Sequence, residues 1–138
     1  MKKFITLNKY GELYIDKILF ETYFPIIFTC KNENNDIFIC VCCQCNENGC
    51  KWLVGRTNGS FIVRMLQNEI TIRQLLLDCC TEKISVDYKN QEYAIAYNNS
   101  DWNEESDYLP KKDAYIDAEG GEFDEEIAYF TSIEHVEY

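Results

Sequence analysis

A chain of 138 residues, 46% of them hydrophobic, is long enough for one domain with its own core, so neither disulfides nor a metal are required to hold it together. Its formal net charge of −11 is concentrated at one end: residues 1–100 carry eleven Lys or Arg and eleven Asp or Glu, whereas residues 101–138 carry thirteen acids against Lys111 and Lys112. Such an end repels nucleic-acid backbones and anionic membranes and attracts basic surfaces, which excludes nucleic acid and membrane as partners and favours a basic protein.

At the N-terminus, Lys2 and Lys3 precede only Phe4 to Leu7 before Asn8 interrupts the apolar run. That is too short for a secretion signal. The apolar stretch Tyr23 to Phe28 contains Pro25 and falls far below a membrane span. The expected compartment is therefore the cytoplasm, where thiols stay reduced.

Residues 4–19 read as a hairpin: Phe4 to Leu7, a turn through Asn8-Lys9-Tyr10-Gly11, then Leu13, Ile15, Ile18 and Leu19. Three apolar runs follow, "PIIFTCK", "IFICVCCQC" and "CKWLVGR", separated by "NENND" and "NENG". Gaps so short and so rich in Asn and Gly make an antiparallel meander, because those residues reach the positive φ of tight turns. The period then becomes helical. Ser60 is the expected cap of a short helix through Met65 and Leu66. In "ITIRQLLLDCC", Thr71 and Gln74 have capping-box spacing, Ile70 and Leu75 hold the staple positions, and Ile72, Leu75, Leu76 and Cys79 share one face. "ISVDY" and "EYAIAY" predict a second hairpin around Lys89-Asn90-Gln91. Residues 101–113 read as loop punctuated by Pro110. From Glu122 to His135, Phe123, Ile127, Phe130 and Ile133 recur at near-helical spacing behind a run of acids, which predicts a C-terminal helix. The expected fold is a single α+β domain over residues 1–138: an antiparallel sheet of five to seven strands, with two helices near 60–80 and the C-terminal helix on one face.

The only stretch that suggests chemistry is "CVCCQCNENGC", with Cys40, Cys42, Cys43, Cys45 and Cys50. It holds Cys-x-x-Cys spacing twice, as Cys40 with Cys43 and Cys42 with Cys45. Strict strand alternation puts Ile37, Ile39, Val41, Cys43 and Cys45 on one face and Phe38, Cys40 and Cys42 on the other. The members of each pair then point apart and cannot share an ion, so the cysteines are expected to be reduced core residues acting as small hydrophobes, with no metal or other cofactor. The alternative is a metal-binding or redox-responsive role, with Cys45 and Cys50 approaching across the hairpin. Other signatures fail. "GCKWLVGRT" has one residue too many between its glycines for a phosphate loop, and Arg56 where lysine belongs. Asp101, Asn103 and Glu105 begin like a calcium loop, but Ser106 and Lys112 replace its glycine and glutamate. A Cys–His pair would have to draw on a single histidine, His135.

The acidic end contains more aromatic residues than a disordered tail normally does. Aromatic anchors and complementary charge are what interfaces use. The candidate partner-binding residues are Trp102, Glu104, Glu105, Asp107 and Tyr108, then Glu119, Glu122, Asp124, Glu125 and Glu126. The expected function is a small, cytoplasmic, non-enzymatic protein that binds and inhibits a basic partner protein, as an immunity protein, antitoxin or phage-encoded inhibitor does. The stretches "ELYIDKILF", "FTCKNENNDIFICV" and "EITIRQLL" resemble small uncharacterised proteins of low-GC Gram-positive bacteria and their phages, a resemblance that implies no particular activity.

Overall fold

The computed structural model describes residues 2–97, 102, 103 and 108–136, with side chains through Ile133. Seven strands follow one another in a single antiparallel sheet whose spatial order is its chain order: β1 (Lys3–Leu7), β2 (Gly11–Glu21), β3 (Pro25–Lys31), β4 (Ile37–Asn46), β5 (Gly49–Thr57), β6 (Glu82–Lys89) and β7 (Glu92–Tyr97). Helices α1 (Gly59–Leu66) and α2 (Ile72–Asp78) lie between β5 and β6, and α3 (Asp124–Val136) ends the described chain. The α+β expectation holds, with the strand count at its upper limit.

The turns obey the chemistry of their residues. Gly11 closes the first hairpin at φ 76°, and Asn90 and Gln91 take φ 52° and 65° between β6 and β7. Two consecutive positive values give the turn that matches strand twist, and Asn tolerates that region better than most residues.

The sheet curls until it is nearly barrel-shaped, bringing Phe4 of β1 and Tyr93 of β7 to 5.8 Å between ring centroids. Alternation along each strand then feeds two cores. Phe4, Leu7, Leu13, Phe28, Phe38, Cys40, Trp52, Val54, Ile84 and Val86 fill the concave interior. Leu19, Ile27, Ile37, Ile39, Val41 and Leu53 face outward, where Ile62, Met65, Leu66, Leu75, Leu76 and Phe130 from the helices cover them. The central strands are therefore buried on both faces and read as continuous apolar runs.

Both short helices start at a side-chain cap. Thr71 accepts from the Gln74 N–H at 3.0 Å while Gln74 Oε1 accepts from the Thr71 N–H at 2.9 Å, the reciprocal box its spacing predicts. The first helix begins earlier than expected: Asn58, not Ser60, accepts from the Phe61 N–H at 3.1 Å. Asn and Ser are equivalent caps, and the one that still has an extended backbone takes the role. Thr71→Ala is expected to cost about 1 kcal/mol, read as a lowered thermal midpoint.

Gly55, in the middle of β5, marks a close approach. A Cβ there would collide with the Cys80 thiol and come within 3.5 Å of the Trp102 ring. This bare position lets the end of α2 and the start of the acidic segment lie directly on the sheet.

Candidate functional site

The acidic segment is tied down over its first part. Trp102 is 6% exposed, and its indole Nε1 donates to Ser85 Oγ of β6 at 3.2 Å. Tyr108 is half-buried with the Lys51 ammonium 4.4 Å from its ring centroid, and Leu109 is buried. The chain then runs along the helices: Pro110 O accepts from Arg73, Ala114 O accepts from the Ile72 N–H, and Ala118 exchanges two hydrogen bonds with the Asn68 side chain. Of the residues expected to meet a partner, Trp102 is thus a core residue and Tyr108 partly so. Glu104, Glu105 and Asp107 lie outside the described residues.

The second group is brought together. Glu119 and Glu122 form a turn in which Glu122 Oε1 accepts from the Glu119 N–H at 3.0 Å, and Gly121 follows the chain round at φ 85°. Asp124, Glu125 and Glu126 make the first turn of α3, where unsatisfied N–H groups favour negative charge. Glu119, Glu122, Asp124 and Glu125 are exposed and Glu126 is half-buried. None of the five forms an ion pair among the described residues. In the body, five of the eleven carboxylates, Glu12, Asp16, Asp36, Glu82 and Asp87, pair with Lys3, Lys31, Arg56, Lys9 and Lys51. The body is thus neutral by count and partly neutralised by contact, whereas the charge of residues 119–126 is not offset by an ion pair among the described residues.

A side-chain network that sequence periodicity does not reveal sets α3 in place. The Tyr129 hydroxyl donates to Asp16 Oδ2 of β2 at 2.6 Å and accepts from Lys31 of β3 at 3.2 Å. The Lys17 ammonium lies 4.5 Å from the same ring's centroid. The hydrogen bond to Asp16 and burial raise the Tyr129 hydroxyl above its ordinary range, burial being the larger cause.

The cysteines depart from expectation at one point. Register in the β4–β5 ladder runs Val41 to Leu53 and Cys42 to Trp52, then Gln44 to Lys51, so two steps on β4 match one on β5. The extra residue, Cys43, is a β-bulge. Beyond it the faces are exchanged: Cys45 falls opposite Cys50, on the same side as Cys42 and Trp52. Strict alternation fails here because a bulge turns an odd separation into a same-face pair. Cys45 and Cys50 form a disulfide, so the expectation of eight reduced thiols is corrected at that pair, while the other six are free. The sulfurs of Cys42, Cys45 and Cys50 lie within 4.8 Å of one another. Cys40 and Cys43 do stay on opposite faces, in the inner and outer cores respectively.

The remaining thiols sit in apolar surroundings. Burial pushes Cys80 up to about 12 and raises Cys40, Cys42 and Cys79 as well, so these four stay protonated near neutral pH. The His135 side chain lies outside the described residues. No described helix is long and apolar enough to cross a membrane. In comparisons with protein-family models, curated proteins and solved structures, this chain matches none of them.

Proposed function

We propose that this chain is a small, cytoplasmic, non-enzymatic binding protein that uses its acidic C-terminal face to engage and inhibit a basic partner protein, in the manner of an immunity protein, antitoxin or phage-encoded inhibitor. The observation that supports this reading is the contrast between paired and unpaired acids. Five of the body's eleven carboxylates are offset by a lysine or arginine in contact and the body carries as many cations as acids, whereas none of the clustered Glu119, Glu122, Asp124, Glu125 and Glu126 makes an ion pair among the described residues. Four of them are exposed on a turn and helix start held by Phe123 and Phe130. A rigid display of like charge raises association rates with a basic surface and adds little to folding stability.

The burial of Trp102 divides the labour within the segment. That ring secures the segment to the sheet, and charge recognition falls to residues 119–126, together with Glu104, Glu105 and Asp107 in the same acidic stretch. Capture of the partner from the native host followed by stopped-flow association tests this. The Glu122→Gln, Asp124→Asn, Glu125→Gln, Glu126→Gln variant is expected to associate about tenfold or more slowly at low salt. The Glu104→Gln, Glu105→Gln, Asp107→Asn variant is expected to slow in the same direction. The wild-type advantage should shrink as the Debye length falls from about 10 Å at 0.1 M salt to about 3 Å at 1 M. Equal rates for all three proteins would make the acidic end a solubilising face only.

A further inference from the structure

We propose that Cys42, Cys45 and Cys50, once the Cys45–Cys50 disulfide is reduced, form a three-thiolate site for one monovalent copper ion at the β4–β5 hairpin. This site is separate from the acidic face and does not depend on the reading given to it.

The geometry arises from the bulge at Cys43. Without it, Cys42 and Cys45 would stand on opposite faces; with it, both join Cys50 on the concave side, their sulfurs within 4.8 Å of one another. Three sulfurs bound to one ion at about 2.3 Å stand about 4 Å apart, so closing the site takes shifts of an ångström or two in side chains at a hairpin end. Cys45 is exposed and Cys42 and Cys50 are half-buried, which leaves the sulfurs reachable.

Ligand type and number select the metal. Thiolates are soft donors that favour monovalent copper, zinc and iron–sulfur clusters. Structural zinc and the common clusters require four protein ligands, and zinc held by three completes its tetrahedron with a water, so zinc is the competing ion that the titration must include. Among the described residues no fourth cysteine, histidine or carboxylate joins this group. Three sulfurs and no hard donor suit a d10 monovalent ion, which is content with three-coordination.

The site lies between an apolar and a polar surface cleft. Phe24, Phe28, Trp52, Tyr88 and Tyr93 wall a cavity of 360 Å³ that reaches Cys50 from the concave interior. On the other side, Lys51 and Lys89 share a polar cleft with Cys50, and Asp87 in that cleft is paired with Lys51. Three thiolates and one monovalent cation carry a net charge of −2, which the Lys89 ammonium partly offsets, Lys51 being paired with Asp87.

Each step balances. A cellular dithiol reduces the Cys45–Cys50 bond by supplying two electrons and two protons, and becomes a disulfide itself. The copper ion then displaces three thiol protons to solvent and forms three copper–sulfur bonds with no change in its oxidation state. The disulfide and the metal site are therefore mutually exclusive states of the hairpin.

The test uses the full chain, reduced and held without oxygen, titrated with monovalent copper buffered by a chromogenic chelator, with and without competing zinc. The expected result is one copper ion per chain in either case, with a new ultraviolet charge-transfer band. Cys42→Ser and Cys45→Ser should each weaken binding by more than the roughly 10- to 100-fold that loss of an outer-shell partner costs. Cys43→Ser, which alters the opposite face, and a Cys79→Ser, Cys80→Ser double variant should bind as wild type does. Because Cys45 is exposed, its substitution reads out the site without disturbing the core. Undiminished binding by Cys45→Ser, loss of binding in the Cys79, Cys80 variant, equal binding by the oxidised chain, displacement of the copper by zinc, or no uptake at all would each overturn the proposal.

Discussion

Replacing Trp102 with alanine is expected to lower stability by about 3–5 kcal/mol, a drop of roughly 10–15 °C in the thermal midpoint for a domain of this size. The ring is 6% exposed, sits among Leu109, Leu53 and the helices in the outer core, and lies across the bare backbone at Gly55. Truncation removes that apolar contact and also strips the donor from Ser85 Oγ, whose residue is itself only 2% exposed. A buried hydroxyl without its partner adds a desolvation cost to the cavity. Ser85→Ala separates the two contributions, since it keeps the whole indole and removes only the hydroxyl that accepts from it; about 1–2 kcal/mol is the expected cost. Differential scanning calorimetry on the three proteins checks this. An unchanged midpoint for Trp102→Ala would return the ring to the surface as a partner anchor.

The elements visible in the sequence are those whose signals are local. The Thr71–Gln74 box, the Asn90 turn and the three apolar runs of the meander each depend on residues within a few positions of one another, and each forms where it is expected. Asn58 displaces Ser60 as a cap because the choice between two adequate caps rests on backbone conformation, which depends on where β5 ends. The cysteine cluster is misread for a different reason. Alternation predicts faces only while register is kept, and no residue type announces the bulge at Cys43, which is set by the pairing of β4 with β5. The Tyr129–Asp16–Lys31 network is equally invisible, since Tyr129 lies 113 and 98 residues from its two partners. At the acidic end, the charge imbalance is legible in composition alone. Which acids are compensated is not, because each of the body's ion pairs is long-range or cross-strand.

Phe130→Ala is expected to cost a similar 3–5 kcal/mol, but to act on one face of the sheet before the other. Phe130 is 0% exposed and holds α3 against the outer core together with Phe123, the half-buried Ile127 and Ile133, and the edge contact with Tyr129 at 5.0 Å. Its removal leaves α3 with a half-buried stripe and the Tyr129 bonds to β2 and β3, too little to offset the ordering of a helix of 13 residues. The inner core, with Phe28, Phe38, Val54 and Ile84 fully buried on the far side of the strands, is untouched. Native-state hydrogen exchange should therefore show amides of α3 and then α1 losing protection while those of β3 to β6 keep most of theirs. The carboxylates at 119–126 would still attract a basic partner, so association should remain salt-dependent. Affinity should fall nonetheless, because ordering the segment must then be offset at the moment of binding. Protection lost evenly across helices and strands would show instead that the two cores unfold as one unit, and that α3 is as much a part of the sheet's stability as of its surface.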